Sequence, residues 1–397
     1  MLKSTAILSK EASPPSLLML ILLVSFGTVC AVLFTPALPE IADYFQVSEN
    51  AAQWSMTLYL IGYALGQLPY GPLANRYGRK ASLLFGIFLA IIGITFCLIS
   101  GNIHYFPLFL FGRLLMALGA CVGLMMAFTL LSDFYTEQQA RKLSSYMMIA
   151  FAILPGFSLT LGGFMALYFS WKACFYVLLT YALLMGILVL NLIDNPSHFS
   201  SKRVHFAQLI KSLISQMKSK PILIFSALIG CCTASTYVFA TLSPFISQQS
   251  LHLTESTFGL YSLIPPIGIL IGALVCGRLS QHYAGTTIVK IGTYTALLGG
   301  IILAGSFYLW AHPISLFAPM AVVNLGLTFV LSNASILATC SSMDKASASS
   351  VMSFLNLSLG ALGVGIVQCY AITPMLLPLA IGVILCIMMG LLRAGDL

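Results

Sequence analysis

Twelve apolar runs, each long enough to cross a bilayer, follow one another along this 397-residue chain. They fall at 16–38, 52–70, 82–100, 106–131, 144–167, 173–193, 222–246, 258–279, 287–309, 314–339, 347–370 and 374–392. Backbone N–H and C=O groups find no water partner in hydrocarbon, so runs of this kind must be helices. Composition leaves no soluble alternative: 59% of the residues are hydrophobic and 7% charged, where a soluble domain has about a quarter charged. The first run follows Lys3 and Lys10, in the manner of a signal peptide. It lacks a small-residue cleavage site before Pro36 and reads as a retained first span.

The basic residues set the expected orientation. With the N-terminus inside, sixteen of the eighteen Lys and Arg residues fall on the cytoplasmic side, Lys172 alone falls in an outside loop, and Arg113 lies within span four. That asymmetry predicts a multi-pass protein with both termini cytoplasmic. The net charge of +8 is spread between apolar runs, not gathered on one face or tail, which argues against nucleic-acid binding. The ten cysteines stand singly apart from Cys231 and Cys232, with no Cys-x-x-Cys and no paired Cys/His spacing. They read as small packing residues, so no metal or cofactor is expected.

The polar linker 194–221 separates six spans from six. The loops after the second span of each half match in part: Gly71, Leu73 and Tyr77 recur at the spacing of Gly277, Leu279 and Tyr283. The chain is therefore expected to form two pseudo-symmetric six-helix bundles, 1–193 and 222–397, around a central site.

The stretch Gly71–Leu84, "GPLANRYGRKASLL", resembles the signature loop of the major facilitator superfamily (MFS), Gly-x-Leu-x-Asp-x-x-Gly-Arg-Lys/Arg. "TPALPEIADYF" and "YVFATLSPFISQQSLHLTESTFGL" are similar to spans one and seven of its bicyclomycin-resistance (Bcr/CflA) drug-export branch. The resemblance implies an MFS fold, alternating access, and a cavity lined by spans one, four, seven and ten. It also implies a gating loop of Gly71, Asn75, Arg76, Gly78, Arg79 and Lys80 that latches the halves in one state. Gln67 would have a gating or lateral role, and Gly162 and Gly163 are what remains of the span-five antiporter motif. Asn75 stands where the family has Asp, Val32 where the branch has an acid in span one, and Met116 and Ala117 where span four has Gln-Gly. In span five the motif's Pro position is Leu159, and a Pro lies at Pro155.

All ten acids lie outside the span cores, which leaves Arg113, about 10 Å into span four, as the ionisable group to explain. An intramembrane Arg faces a cavity or a partner, unless it snorkels to the interface. The first reading gives it an anionic substrate group to hold, or polar groups and water to organise. Polar residues at steps of three and four supply the rest of a candidate binding surface. They are Thr35 in span one, Tyr237 and Thr241 in span seven, and Asn324, Thr328 and Ser332 in span ten, with Tyr59, Tyr63, Gln67 and Tyr70 in span two. The competing reading of such stripes is hydrogen bonding between helices.

The expectation is a monomeric secondary transporter of the bacterial inner membrane that exports a small amphipathic molecule, drug-like or a siderophore. Protons are the candidate coupling ion, and the lipid bilayer and the substrate are the partners. A nutrient or siderophore importer is the alternative within the class, and a non-transporting receptor the alternative outside it. No H-E-x-x-H, G-x-S-x-G or phosphate loop suggests an enzyme.

Overall fold

The computed structural model describes residues 14–192, 215–340, 345–370, 373 and 375–394. The first half of the chain holds α1 (Leu17–Val32), a 3-10 turn (Thr35–Ala37), α2 (Leu38–Phe45), α3 (Glu49–Tyr77), α4 (Arg79–Ile103), α5 (Phe106–Ala120), α6 (Val122–Phe134), α7 (Glu137–Tyr168) and α8 (Trp171–Leu192). The second holds α9 (Lys220–Gln249), α10 (Glu255–Tyr261), α11 (Ile264–Leu279), α12 (Gly285–Leu309), α13 (Pro313–Cys340), α14 (Lys345–Val367) and α15 (Leu376–Ala394). Spans one, four and eight are each built from two successive helices, and the other nine from one. Among the described residues nine helical segments are long and apolar enough to cross a membrane. Shorter apolar stretches lie in α7 (Ile153–Tyr168) and α14 (Val351–Val367). The remaining rod is the 29-residue α3, diluted by Gln53, Gln67, Asn75 and Arg76. The chain is an all-α membrane protein of the expected class.

Local chemistry explains the ends. Ser48 caps α3 by accepting from the Ala51 N–H, and Thr136 and Gln139 form a reciprocal capping box at α7. Gly78 takes φ 90° to turn α3 directly into α4. α9 begins at Lys220 with Pro221 in its first turn, two residues inside the expected linker. Proline is tolerated there because the first helical N–H groups have no partner to lose. Residues 194–214 of that linker lie outside the described residues.

The start of α1, the α3–α4 and α6–α7 turns and the end of α8 share one face, here the near face. There the Tyr135 hydroxyl donates to Pro15 O, Arg79 pairs with Asp133 at 3.0 Å, and Lys80 Nζ donates to Leu190 O at 2.7 Å. The opposite, far face carries the α1–α2 break, the α4–α5 and α7–α8 turns, and the α9–α10 connection. Inside each half, helices touch backbone to backbone. A Cβ on Gly93 of α4 would lie 2.2 Å from Met116 N of α5, and one on Gly299 of α12 would lie 2.7 Å from Val323 N of α13. Gly93 and Gly299 are 206 residues apart, the same interval as Gly71 and Gly277. The internal repeat is thus visible in how the helices pack as well as in the loops.

Candidate functional site

Span one breaks at Val32, because Pro36 and Pro39 cannot donate backbone hydrogen bonds to the preceding turn. The break leaves carbonyls at the end of α1 without intrahelical donors. The Thr35 hydroxyl takes Val32 O at 2.8 Å. Arg113 of α5 takes the next two, with Nη1 donating to Cys30 O at 2.8 Å and Nη2 to Ala31 O at 3.2 Å. Its Nε donates to Ser55 O of α3 at 3.3 Å. Phe34 and Tyr59 lie over the guanidinium, 4.0 and 4.4 Å from their ring centroids. A cation at a helix C-terminus is favoured by the helix dipole, and stacking on aromatic faces adds to that.

Arg113 is 0% exposed. It therefore does not snorkel to the rim, and in this conformation it does not present its donors to a cavity. Its hydrogen bonds join the end of α1 to α3 and α5. The partner that sequence reasoning missed is backbone. Carbonyls released by a proline break carry no side-chain signal, though the Pro36 position was itself a clue.

The other expected binding residues divide. Tyr237 of α9 is half-buried and lies within electrostatic reach of Arg113, Tyr59 and Tyr63, bringing the two halves together at mid-depth around tyrosines. The Thr241 hydroxyl turns back to Tyr237 O at 2.7 Å. In span ten, Asn324 Nδ2 donates to Pro265 O of α11 at 3.2 Å. Thr328 faces the same helix, where its Cβ would stand 3.0 Å from a Cβ on Gly272. These two join neighbouring helices of one half and leave the central surface in this conformation. Spacing had placed them correctly on one face, but it carries no information about which neighbour that face meets. Ser332 is half-buried, and its carbonyl accepts from Ser335 Oγ at 3.0 Å. Gln67 is buried on α3.

Of the gating loop, Gly71 and Asn75 lie in α3, and their side-chain surroundings lie outside the description. Arg76 is exposed and stacks on Tyr77 at 5.1 Å. The contacts of Arg79 with Asp133 and of Lys80 with Leu190 O fasten the loop to α6 and α8, within its own half.

Hydrogen bonds between described residues of the two halves gather toward the far face. Gln248 Nε2 donates to Pro36 O at 3.0 Å, and Asn50 Nδ2 to Tyr370 O at 3.1 Å. Thr160 Oγ1 donates to Gly259 O at 2.7 Å, Gln368 Nε2 to Thr57 Oγ1 at 2.7 Å, and Gln249 to the Glu49 carboxylate. Gly162 and Gly163 sit in this seam. A Cβ on Gly162 would lie 1.7 Å from Leu33 O of the broken span one, and a Cβ on Gly163 would lie 2.2 Å from Glu255 O of α10. The glycine pair thus presses one side of α7 against its own half and the other against the opposite half.

Two six-span halves, bonded to each other among the described residues toward one face, with Tyr59, Tyr63 and Tyr237 in electrostatic reach of one another, have the architecture of a membrane transport protein. The family profile described as Major Facilitator Superfamily matches residues 17–368, and the chain belongs to that superfamily. Among its relatives, multidrug resistance protein D of Escherichia coli is 25% identical, over 72% of this chain and 71% of that protein. A bicyclomycin resistance protein homolog of Haemophilus influenzae is 24% identical over 68% of each chain. Among solved structures, the xylose transporter XylE from E. coli in an inward open conformation superposes with a TM-score of 0.74 at 12% identity, covering 94% of this chain and 95% of that one. Membership places the chain among transporters, not enzymes.

Proposed function

We propose that this protein is a secondary exporter of a small amphipathic, drug-like molecule in the bacterial inner membrane. It acts as a monomer with both termini in the cytoplasm. The two six-span halves, 1–193 and 222–397, rock about the tyrosine-lined centre formed by Tyr59, Tyr63 and Tyr237. The observation that carries this reading is the far-face lock: among the described residues, polar side-chain bonds between the halves gather toward that end, in keeping with a hinge-like carrier. With the far face outside, the described conformation corresponds to the one closed outward. Resistance-named relatives support a drug-like substrate.

Aromatic rings and a dearth of free charge suit an uncharged or weakly charged organic molecule. Arg113 serves the site by fixing the end of span one against spans two and four, so that Phe34 and Tyr59 keep their places. Gly162 and Gly163 shape the seal on the outer side, and Gly78, Arg79 and Lys80 brace the near-face ends of α3 and α4.

Transport of bicyclomycin and chloramphenicol in proteoliposomes of known orientation, with and without an imposed pH gradient, tests the proposal. Net movement from the near face to the far face supports export, and dependence on the gradient assigns protons as the coupling ion. Movement in the opposite direction establishes the importer reading. Absence of transport for a broad panel, with binding intact, overturns the carrier reading.

A further inference from the structure

The first-half side of the seam is a stripe on α3. Glu49, Gln53 and Thr57 follow at intervals of four and share one face. The outer two are bonded across the seam, Glu49 to Gln249 of α9 and Thr57 to Gln368, just beyond α14. The middle one is not. Gln53 is 1% exposed, and neither Oε1 nor Nε2 has a hydrogen-bond partner among the described residues. Gln368 Oε1, on the opposite wall, is likewise buried and unbonded.

The residues beside this stripe on α3 differ from it: Ala52, Met56 and Leu60 are buried apolar residues of the hydrophobic core. Buried amides that specify a fold are bonded. An amide withdrawn from water and left unbonded is unfavourable, and it remains so only while the halves are closed. When the seam parts, this face of α3 meets water and the amide is hydrated.

We propose that Gln53 is a positioning residue that sets the balance of the far-face lock. Its unbonded burial holds the closed state shallow enough for the carrier to leave it. This rests on the rocking mechanism proposed above, but it makes a claim that a substrate assay is not needed to judge. The flanking bonds draw the halves together, and Gln53 limits how firmly they stay. Replacing it with an apolar side chain of similar volume removes the opposing contribution and leaves both flanking bonds in place.

The experiment uses the full-length protein in lipid nanodiscs. Nitroxide labels are carried on cysteines introduced at Ile103 and Leu309, the exposed last residues of α4 and α12. Accessible native cysteines are replaced, and pulsed electron resonance reads the separation of the two far ends. The expected result is that Gln53→Leu and Gln53→Met each raise the closed-to-open ratio about tenfold and raise the melting temperature. Gln53→Glu, whose carboxylate is harder to bury, is expected to shift the population to longer distances. An unchanged or lengthened distribution in both apolar variants overturns the proposal, and so does a lowered melting temperature with no shift toward closure. Since distances are read without substrate, failure to identify a transported drug leaves this test intact. Shifted distances with no transport of any compound would break the exporter reading alone.

Discussion

Helices meet in two different ways in this molecule. Within a half, α4 on α5 and α12 on α13 touch through glycines so closely that a single added carbon would strike backbone. Between halves, the far-face seam has a glycine approach too, Gly163 on Glu255 O, but it adds amide and hydroxyl side chains that bond across it: Asn50, Thr57, Thr160, Gln248, Gln249 and Gln368. Glycine-backed contacts give close van der Waals packing that has no looser counterpart to relax into. Side-chain hydrogen bonds exchange readily for water and contribute about 1 kcal/mol each. Contacts of the first kind favour rigid bodies, and the added side-chain bonds of the second let the seam exchange partners with water when it opens.

The comparison can be broken most severely from inside a half. Gly93→Leu is expected to abolish folding, seen as loss of monodisperse protein on size exclusion, because Met116 N leaves no room for a side chain. Next is Arg113→Ala. It leaves three bonded carbonyls without their donor, so transport should fall by about tenfold or more and the melting temperature should drop with it. Arg113→Lys should recover part of both, since a point charge can reach some of those carbonyls but cannot fork between them.

At the joint, Gly163→Ala should leave folding intact and shift the far ends apart by about tenfold in population, because its Cβ meets Glu255 O only when the halves are closed. The smallest effect concerns pH. Burial raises the Glu49 carboxyl above its ordinary value, and the neighbouring Asp43 raises it further. A carboxyl whose affinity for protons increases on closing favours closure fully below its ordinary value and loses that contribution as pH rises through the raised one. Acidifying the far side should therefore close the lock by a few-fold, and Glu49→Gln should flatten that dependence in the same distance measurement.

The sequence told much of this and withheld the rest for physical reasons. Twelve rods and a twofold repeat were legible because lipid demands unbroken apolar runs, and because Gly71 and Gly277 kept their register. Arg113 stood out by depth alone. Its partners did not, since Cys30 O and Ala31 O are backbone groups that any residue could have supplied. The span-two stripe Tyr59, Tyr63, Gln67 and Tyr70 drew attention to the aromatic middle of α3. The seam lies instead on Glu49, Gln53 and Thr57, whose spacing of four was available as a signal. Asn324 and Thr328 show the reverse. Their periodicity was real, but the choice between cavity and neighbouring helix is made by how the bundle is assembled.

Arg113 also bears on how the cycle is powered. Its guanidinium is bound to three carbonyls of its own half and moves with them as one body, deep beneath the far face. Under the proposed rocking this charge travels with its half and is not handed from one half to the other.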